Sequence, residues 1–375
     1  MVAQGHDVTV ATTKLPHRKN LVHNGVKIVE FDIKSIAEHG ASIVGGLKGD
    51  IEGYQKFLVN GDFDVVMSYA AQQWTTDLMF GVIDKIKARK VLVPCGYSGL
   101  YDPAYRTYFD LLPDILHKYD ATVYLSDTYR DIDFARRHGL KNIHVIPNGA
   151  DENEFRNLLT QEEKIRIRNQ YGIGGFTIMT IANYTGEKGH AELLKFFKRL
   201  PVANATLVSA GNYTPGIGCF DMFEQQANRV NNHKKFLGKR VVMLDGSDHL
   251  EVHKVLMAAD LFVFLSNIEA SPLVLFESAA AGVPFLATNV GNSKEIAEWT
   301  GAGKIVKTRP RPNGRVTADI KDAIIQATKL VHNKKELSRL GKIGRASWES
   351  RYTWDVLTNE YLKLYESLVK RKAKK

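Results

Sequence analysis

Short runs rich in β-branched residues alternate with longer mixed stretches along the whole chain, and this alternation limits the possible fold more than any other feature. "DVTVATT", "VKIVEF", "FDVVMSY", "ARKVLVP", "ATVYLS" and "NIHVIPNG" read as strands. Stretches such as "WTTDLMFGVIDKIKAR" and "TYRDIDFARRHG" lie between them and read as helical. The second half repeats the scheme with "FTIMTIA", "ATLVSAG", "VVMLDG", "LFVFLS" and "PFLATN". Such alternation implies α/β architecture: parallel sheets with helices on both faces. A chain of 375 residues exceeds one ordinary core, so two domains are expected. Pro147 and Gly149 stop a strand in "VIPNGAD", and a second sheet starts at Phe176. The expected division is 1–150, 151–352 and a last helical segment, 353–375. That last helix places Leu357, Tyr361, Leu364, Tyr365 and Leu368 at helical spacing, before a basic tail.

Apolar residues make up 44% and charged residues 25%, the balance of a soluble globular protein. The apolar runs are too short to cross a bilayer, and "MVAQGHDVTVATT" lacks the pattern of a signal peptide. Two cysteines, Cys95 and Cys219, argue against a disulfide framework and suit a reducing compartment. The net charge of +10 fits nucleic acid, anionic lipid or a polyphosphate ligand. No aromatic RNA-binding signature, zinc finger or basic zipper supports the first of these, so no nucleic-acid partner is expected.

Two stretches carry candidate chemistry. In "NIEASPLVLFESAAAGVPFLATNVG", a helix is expected to start at the carboxyl end of the strand "LFVFLS", with Ser271 as N-cap and Pro272 as first helical residue. Ligands of doubly wound sheets bind at such ends, and a helix N-terminus favours phosphate. Glu269 would lie in the loop, and Glu277 on the helix, reaching the same crevice. A carboxylate there can accept hydrogen bonds from paired sugar hydroxyls. In "IANYTGEKGH", Gly186 and Gly189 permit a tight turn, and Lys188 could neutralise a phosphate.

Taken together, "GEKGH", "AADLFVFLS" and the Glu269-x7-Glu277 pair followed by "SAAAGVPFLATNVGNSKEI" resemble the donor half of retaining glycosyltransferases of the GT-B fold, family 4. "VIPNGADENEF" is similar to that family's interdomain segment, and "GHDVTV" to its second strand. The resemblance implies two Rossmann-like doubly wound domains facing across a cleft, and a nucleotide diphosphate sugar as donor substrate. It places Glu277 on the ribose and Glu269 on the transferred sugar. It places Lys188 and the backbone of Ala270, Ser271, Leu273 and Val274 on the diphosphate, with Asn183 and Gly186 in the donor-binding turn. Cys95 and Gly96 fall on the acceptor side. The implied activity is transfer of a hexose, with retention, to a glycan or lipid-linked acceptor, with no cofactor and no metal. A cytoplasmic protein in peripheral contact with the inner face of an anionic membrane would suit such an acceptor.

Asn183 stands where the family usually has Arg, and Cys95 where it often has His. Both departures motivate an alternative, a non-catalytic sugar-nucleotide-binding subunit that supports another transferase. Asp260 is expected to fix a helix–strand turn. The Asp62/Asp64 and Asp131/Asp133 pairs mimic a metal-binding pattern, but the second reads as helical, where alternate residues diverge. The match to the family begins at its second strand. The first domain is therefore expected to lack its first strand; either the natural product starts upstream, the favoured case, or the chain is a natural remnant with a repaired sheet.

Overall fold

The computed structural model describes residues 1–35, 46–214 and 216–373, so the last two residues of the basic tail lie outside the described chain. Two units emerge, Met1–Pro147 with Thr358–Lys375, and Asn148–Leu357.

In the second unit six parallel strands stand side by side in the order Lys239–Asp245, Ala205–Gly211, Phe176–Ile181, Leu261–Phe264, Phe285–Thr288 and Gly303–Val306. Side chains of a strand alternate between faces, and both faces here are apolar. Met179, Val208, Phe262 and Phe264 enter one core; Ile178, Leu207, Leu261 and Val263 enter the other. Burial on both faces is why these segments read as unbroken apolar runs. From Phe176–Ile181 the chain winds outward through two strands, then returns to the other side at Leu261–Phe264. These two strands therefore flank a topological switch point, where the loops leaving their carboxyl ends diverge and open a crevice.

Local chemistry fixes the elements that frame it. The helix Gln161–Gln170 opens with a capping box, Thr160 and Glu163 each satisfying the other's backbone N–H. Asp260 accepts from Thr177 N at 2.7 Å and pairs with Arg168 at 3.0 Å, pinning the helix–strand turn as expected.

The first unit holds a four-stranded parallel sheet, Val65–Tyr69, Arg89–Val93, Ala121–Tyr124 and Ile143–Val145. A separate sheet joins Thr9–Thr13 to Val26–Phe31 and Val22–His23. Among the described residues, Thr9–Thr13 and Val65–Tyr69 do not pair with each other. Their sheets meet through side chains instead. Phe31, Tyr54 and Leu92 share one core, and Trp74 Nε1 donates to Thr13 Oγ1 at 3.0 Å. Val10, Met67 and Tyr69 remain exposed along these strands. The last helix, Trp354–Ala373, buries Leu357, Leu364 and Leu368, three of the five residues spaced for it.

Candidate functional site

At the switch point the loop after Phe176–Ile181 meets the loop after Leu261–Phe264. Glu187 O accepts from Asn267 N at 2.9 Å, and Lys188 Nζ reaches Glu269 Oε1 at 2.7 Å. Ser266 Oγ donates to the same carboxylate oxygen at 2.8 Å. Glu269 is the more buried partner, with 13% of its side chain exposed against 28% for Lys188. A lysine ammonium has three donors, so Lys188 can keep Glu269 and still meet an anion in the crevice. Gly189 makes this approach possible. Its φ is +72°, and a Cβ there would lie 1.9 Å from Leu265 O. Gly189→Ala is expected to lower the melting temperature. The left-handed backbone alone costs about 1–2 kcal/mol, and the clash with Leu265 O is with fixed backbone. An unchanged melting curve would contradict this packing.

The helix Leu273–Ala280 starts one residue later than its sequence suggests. Pro272 is the N-cap, without a side-chain cap, and Ser271 lies outside the helix. Proline locks its own φ but leaves the helix-start amides without a side-chain acceptor. Ser271 Oγ is itself buried without a hydrogen-bond partner. The helix buries Leu275, Phe276, Ser278, Ala279 and Ala280; only Leu273, Val274 and Glu277 stay accessible. Leu273 and Glu277 are four apart and so share one face. The turn Gly291–Ser293 closes over the preceding loop: Asn292 N donates to Ala270 O at 2.9 Å, and a Cβ on Gly291 would strike that carbonyl. Ser293 Oγ, at the start of the helix Ser293–Thr300, is also buried without a partner. Two helix starts with orphaned buried hydroxyls therefore lie at two loops joined by the Asn292–Ala270 bond, an arrangement suited to an anionic, hydroxyl-rich ligand.

Behind Glu277 stands His253, which sequence reading missed. Its Nε2 is 3.6 Å from Glu277 Oε2 and its Nδ1 3.1 Å from Glu154 Oε2. Asn183 does something narrower than contact a ligand as a cation would. Its Oδ1 accepts from Asn212 N at 3.1 Å and pins the neighbouring strand-end loop. Gly186 has φ +87° and open space where a Cβ would stand. His190, the last residue of "GEKGH", is a core residue. It stacks on Tyr184 at 4.4 Å between centroids, and burial pushes its pKa down to about 4.

In the first unit Cys95 and Gly96 follow the strand Arg89–Val93, both with positive φ. Burial raises the Cys95 thiol, which disfavours thiolate chemistry. Gly96 N donates to Asp131 Oδ2 at 2.9 Å. The helix Arg130–Arg137 buries Asp131 and exposes Asp133, so that pair diverges as expected. Ala70, Gln72 and Cys95, non-glycine residues with φ between +57° and +67°, all sit at the ends of two adjacent strands. Strain of this kind costs about 1–3 kcal/mol per residue and clusters at functional sites. Nearby, burial pushes the Asp77 carboxyl up to about 7, although Tyr108 donates to it at 3.1 Å. A raised carboxyl pKa means that the folded state holds a proton which the unfolded chain has released. This contribution to stability is full below the ordinary value of 3.8 and is lost as pH rises to about 7. Asp77→Asn is expected to flatten the pH dependence of the melting temperature over that window and to gain most near its upper end. An unaltered pH profile would refute the assignment.

Among the described residues, no group of three or more His, Cys, Asp and Glu side chains could hold a metal ion. Among the described residues, no helix is long and apolar enough to cross a membrane.

Residues 162–346 match the model of a family described as Glycosyl transferases group 1. Mannosylfructose-phosphate synthase of Agrobacterium fabrum is 25% identical over 239 residues, which cover 60% of this chain and 48% of that protein. The chain spans about half the length of the curated relatives it matches. Sucrose-phosphate synthase of Thermosynechococcus elongatus superposes with a TM-score of 0.77 at 17% identity, over 98% of this chain and 90% of that one. Anabaena Alr3699/HepE, solved in complex with UDP and glucose, gives a TM-score of 0.70 at 15% identity, over 92% of this chain and 87% of that one. The chain thus has the GT-B fold, and within its second unit residues 162–346 match the glycosyl transferases group 1 model.

Proposed function

We propose that this chain is a retaining glycosyltransferase, moving a hexose from a nucleotide diphosphate sugar to a hydroxyl of a glycan or lipid-linked acceptor. The observation that carries the reading is the Lys188–Glu269 pair at the switch point, beside a helix whose accessible face holds Glu277. In this reading Glu277 accepts the ribose hydroxyls and Glu269 faces the transferred sugar. The amides from Ala270 to Val274, with Lys188, receive the diphosphate. As the glycosidic bond breaks, negative charge collects on the leaving diphosphate, where a fixed ammonium and helix amides stabilise it. The leaving phosphate is itself a base for the acceptor proton. Retention rests on the family resemblance. The loop at Cys95 and Gly96 is the first unit's candidate for acceptor contact. The net charge of +10 favours an acceptor held at an anionic membrane surface.

A specific observation favours a second reading, a sugar-nucleotide-binding subunit without turnover. Asn183 is neutral and its carbonyl is engaged with Asn212, so this turn offers Lys188 as its only cation at the diphosphate. One experiment separates the two. A thermal-shift screen with nucleoside diphosphates and their sugars finds the donor, because a ligand of the folded state raises the melting temperature. Release of nucleoside diphosphate from that donor then decides for the enzyme. Stabilisation without release decides for the binding subunit, and no stabilisation by any nucleotide sinks both.

A further inference from the structure

His253 projects from the helix His249–Met257 and is 4% exposed, yet it faces two carboxylates. Its Nδ1 lies 3.1 Å from Glu154 Oε2, its Nε2 lies 3.6 Å from Glu277 Oε2, and its ring packs on Phe155 at 4.7 Å between centroids. A neutral imidazole has one N–H and one lone pair. Placed between two carboxylates, a neutral ring would turn its lone pair toward one of them. An imidazolium sets a positive charge against both carboxylates as an ion pair, although its Nδ1 makes no hydrogen bond. Burial opposes the charge, but the carboxylates of Glu277, Glu154 and Asp151 outweigh it and hold the imidazole above its ordinary value. His249, on the same helix, is 6.3 Å away between ring centroids. Arg345 comes near but is spent on the carbonyls of Phe155 and Ala280.

We propose that His253 is a positioning residue for the nucleotide site: as an imidazolium it fixes Glu277 through Oε2 and sets the carboxylate for the ribose hydroxyls. This rests on the reading of Glu277 as the ribose acceptor. At 3.6 Å the contact with Oε2 is an ion pair, so the lone pairs of both Glu277 oxygens remain for ligand hydroxyls. The imidazolium also attracts Glu154 at 3.1 Å, which draws the segment Asp151–Arg156 toward the same charge. Nucleotide affinity should therefore fall as pH rises and His253 loses its proton. No motif marks the residue, because its partners lie about a hundred residues upstream and two dozen downstream in sequence.

The test is calorimetric titration with UDP and with GDP, from about pH 6 to 9, on wild type, His253→Gln, His253→Phe and Glu277→Gln. The titration of the nucleotide phosphates is common to all four proteins and cancels in the comparison. His253→Phe is expected to weaken binding about tenfold or more at the low end, because the half-buried Glu277 loses the cation that orients it. His253→Gln keeps a neutral donor near Oε2. It should restore part of the affinity and remove the excess pH dependence seen in wild type. Wild-type affinity in His253→Phe, or a wild-type pH profile in His253→Gln, overturns the proposal. If His253→Phe does not fold, the pH profile of His253→Gln decides alone. Glu277→Gln separates the two levels. If it binds as wild type does, the ribose reading falls. If it weakens binding while both His253 variants do not, the positioning role falls and the ribose reading stands.

Discussion

Lys188→Ala is expected to cut turnover at saturating donor by about a hundredfold or more, the scale seen when one fixed donor to a developing anion is removed. Affinity for the nucleoside diphosphate should fall less. The reason is where the charge grows. In the ground state the diphosphate charge is shared with the sugar ester and the helix amides. In the transition state more of it sits on the leaving oxygen, and an interaction that strengthens there lowers the barrier. The structure adds a complication that the variant must be designed around. Lys188 is also the partner of Glu269, whose side chain is only 13% exposed. Removing the lysine takes away the cation at 2.7 Å from that carboxylate. Breaking a partly buried pair costs stability as well as activity. Glu269→Gln with Lys188→Ala removes the carboxylate charge as well. If that double variant regains stability but turns over far less than Glu269→Gln alone, the lysine acts on the leaving group. Full turnover in Lys188→Ala would reduce the residue to a structural ion pair.

Glu277→Ala is expected to weaken nucleoside diphosphate binding by about 1.5–3 kcal/mol, the value of charge-assisted hydrogen bonds from ligand hydroxyls. The fold should survive. Glu277 is one of three accessible residues on a helix that Leu275, Phe276, Ala279 and Ala280 anchor in the core. Calorimetry with the stabilising nucleotide checks this, and unchanged affinity would remove the ribose assignment. A 2′,3′-dideoxy nucleotide provides a second check. It should bind wild type weakly and lose little further affinity in the variant, because each change removes the same contact.

Much of this was legible in the sequence, for reasons that differ from feature to feature. The eleven strand segments read from β-branched runs all contain strands, including Val26–Phe31 and Ala205–Gly211 at the same bounds. Burial on both faces forces an unbroken apolar run, and such a run is visible without coordinates. The short strands Ile33–Ser35, Leu47–Gly49 and Thr308–Pro310 escaped. They are antiparallel pieces of three residues, too short to show an alternating pattern and defined by backbone pairing. The helix start was misjudged by one residue. Ser271 and Pro272 each suit two neighbouring positions, and only the surrounding fold chooses between them.

What the sequence determined by itself was local. It set the parallel α/β architecture, the turns that need glycine, and the presence of Lys188, Glu269 and Glu277 at strand ends and on a helix. Those are consequences of periodicity and turn chemistry within a few residues. Which of these groups face one another was decided only by the tertiary structure. The winding of the second sheet brings Lys188 within 2.7 Å of a glutamate eighty-one residues away. It brings His253 up behind Glu277, and commits Asn183 to Asn212. Such pairings depend on strand order and helix packing, where distance in space is uncoupled from distance along the chain.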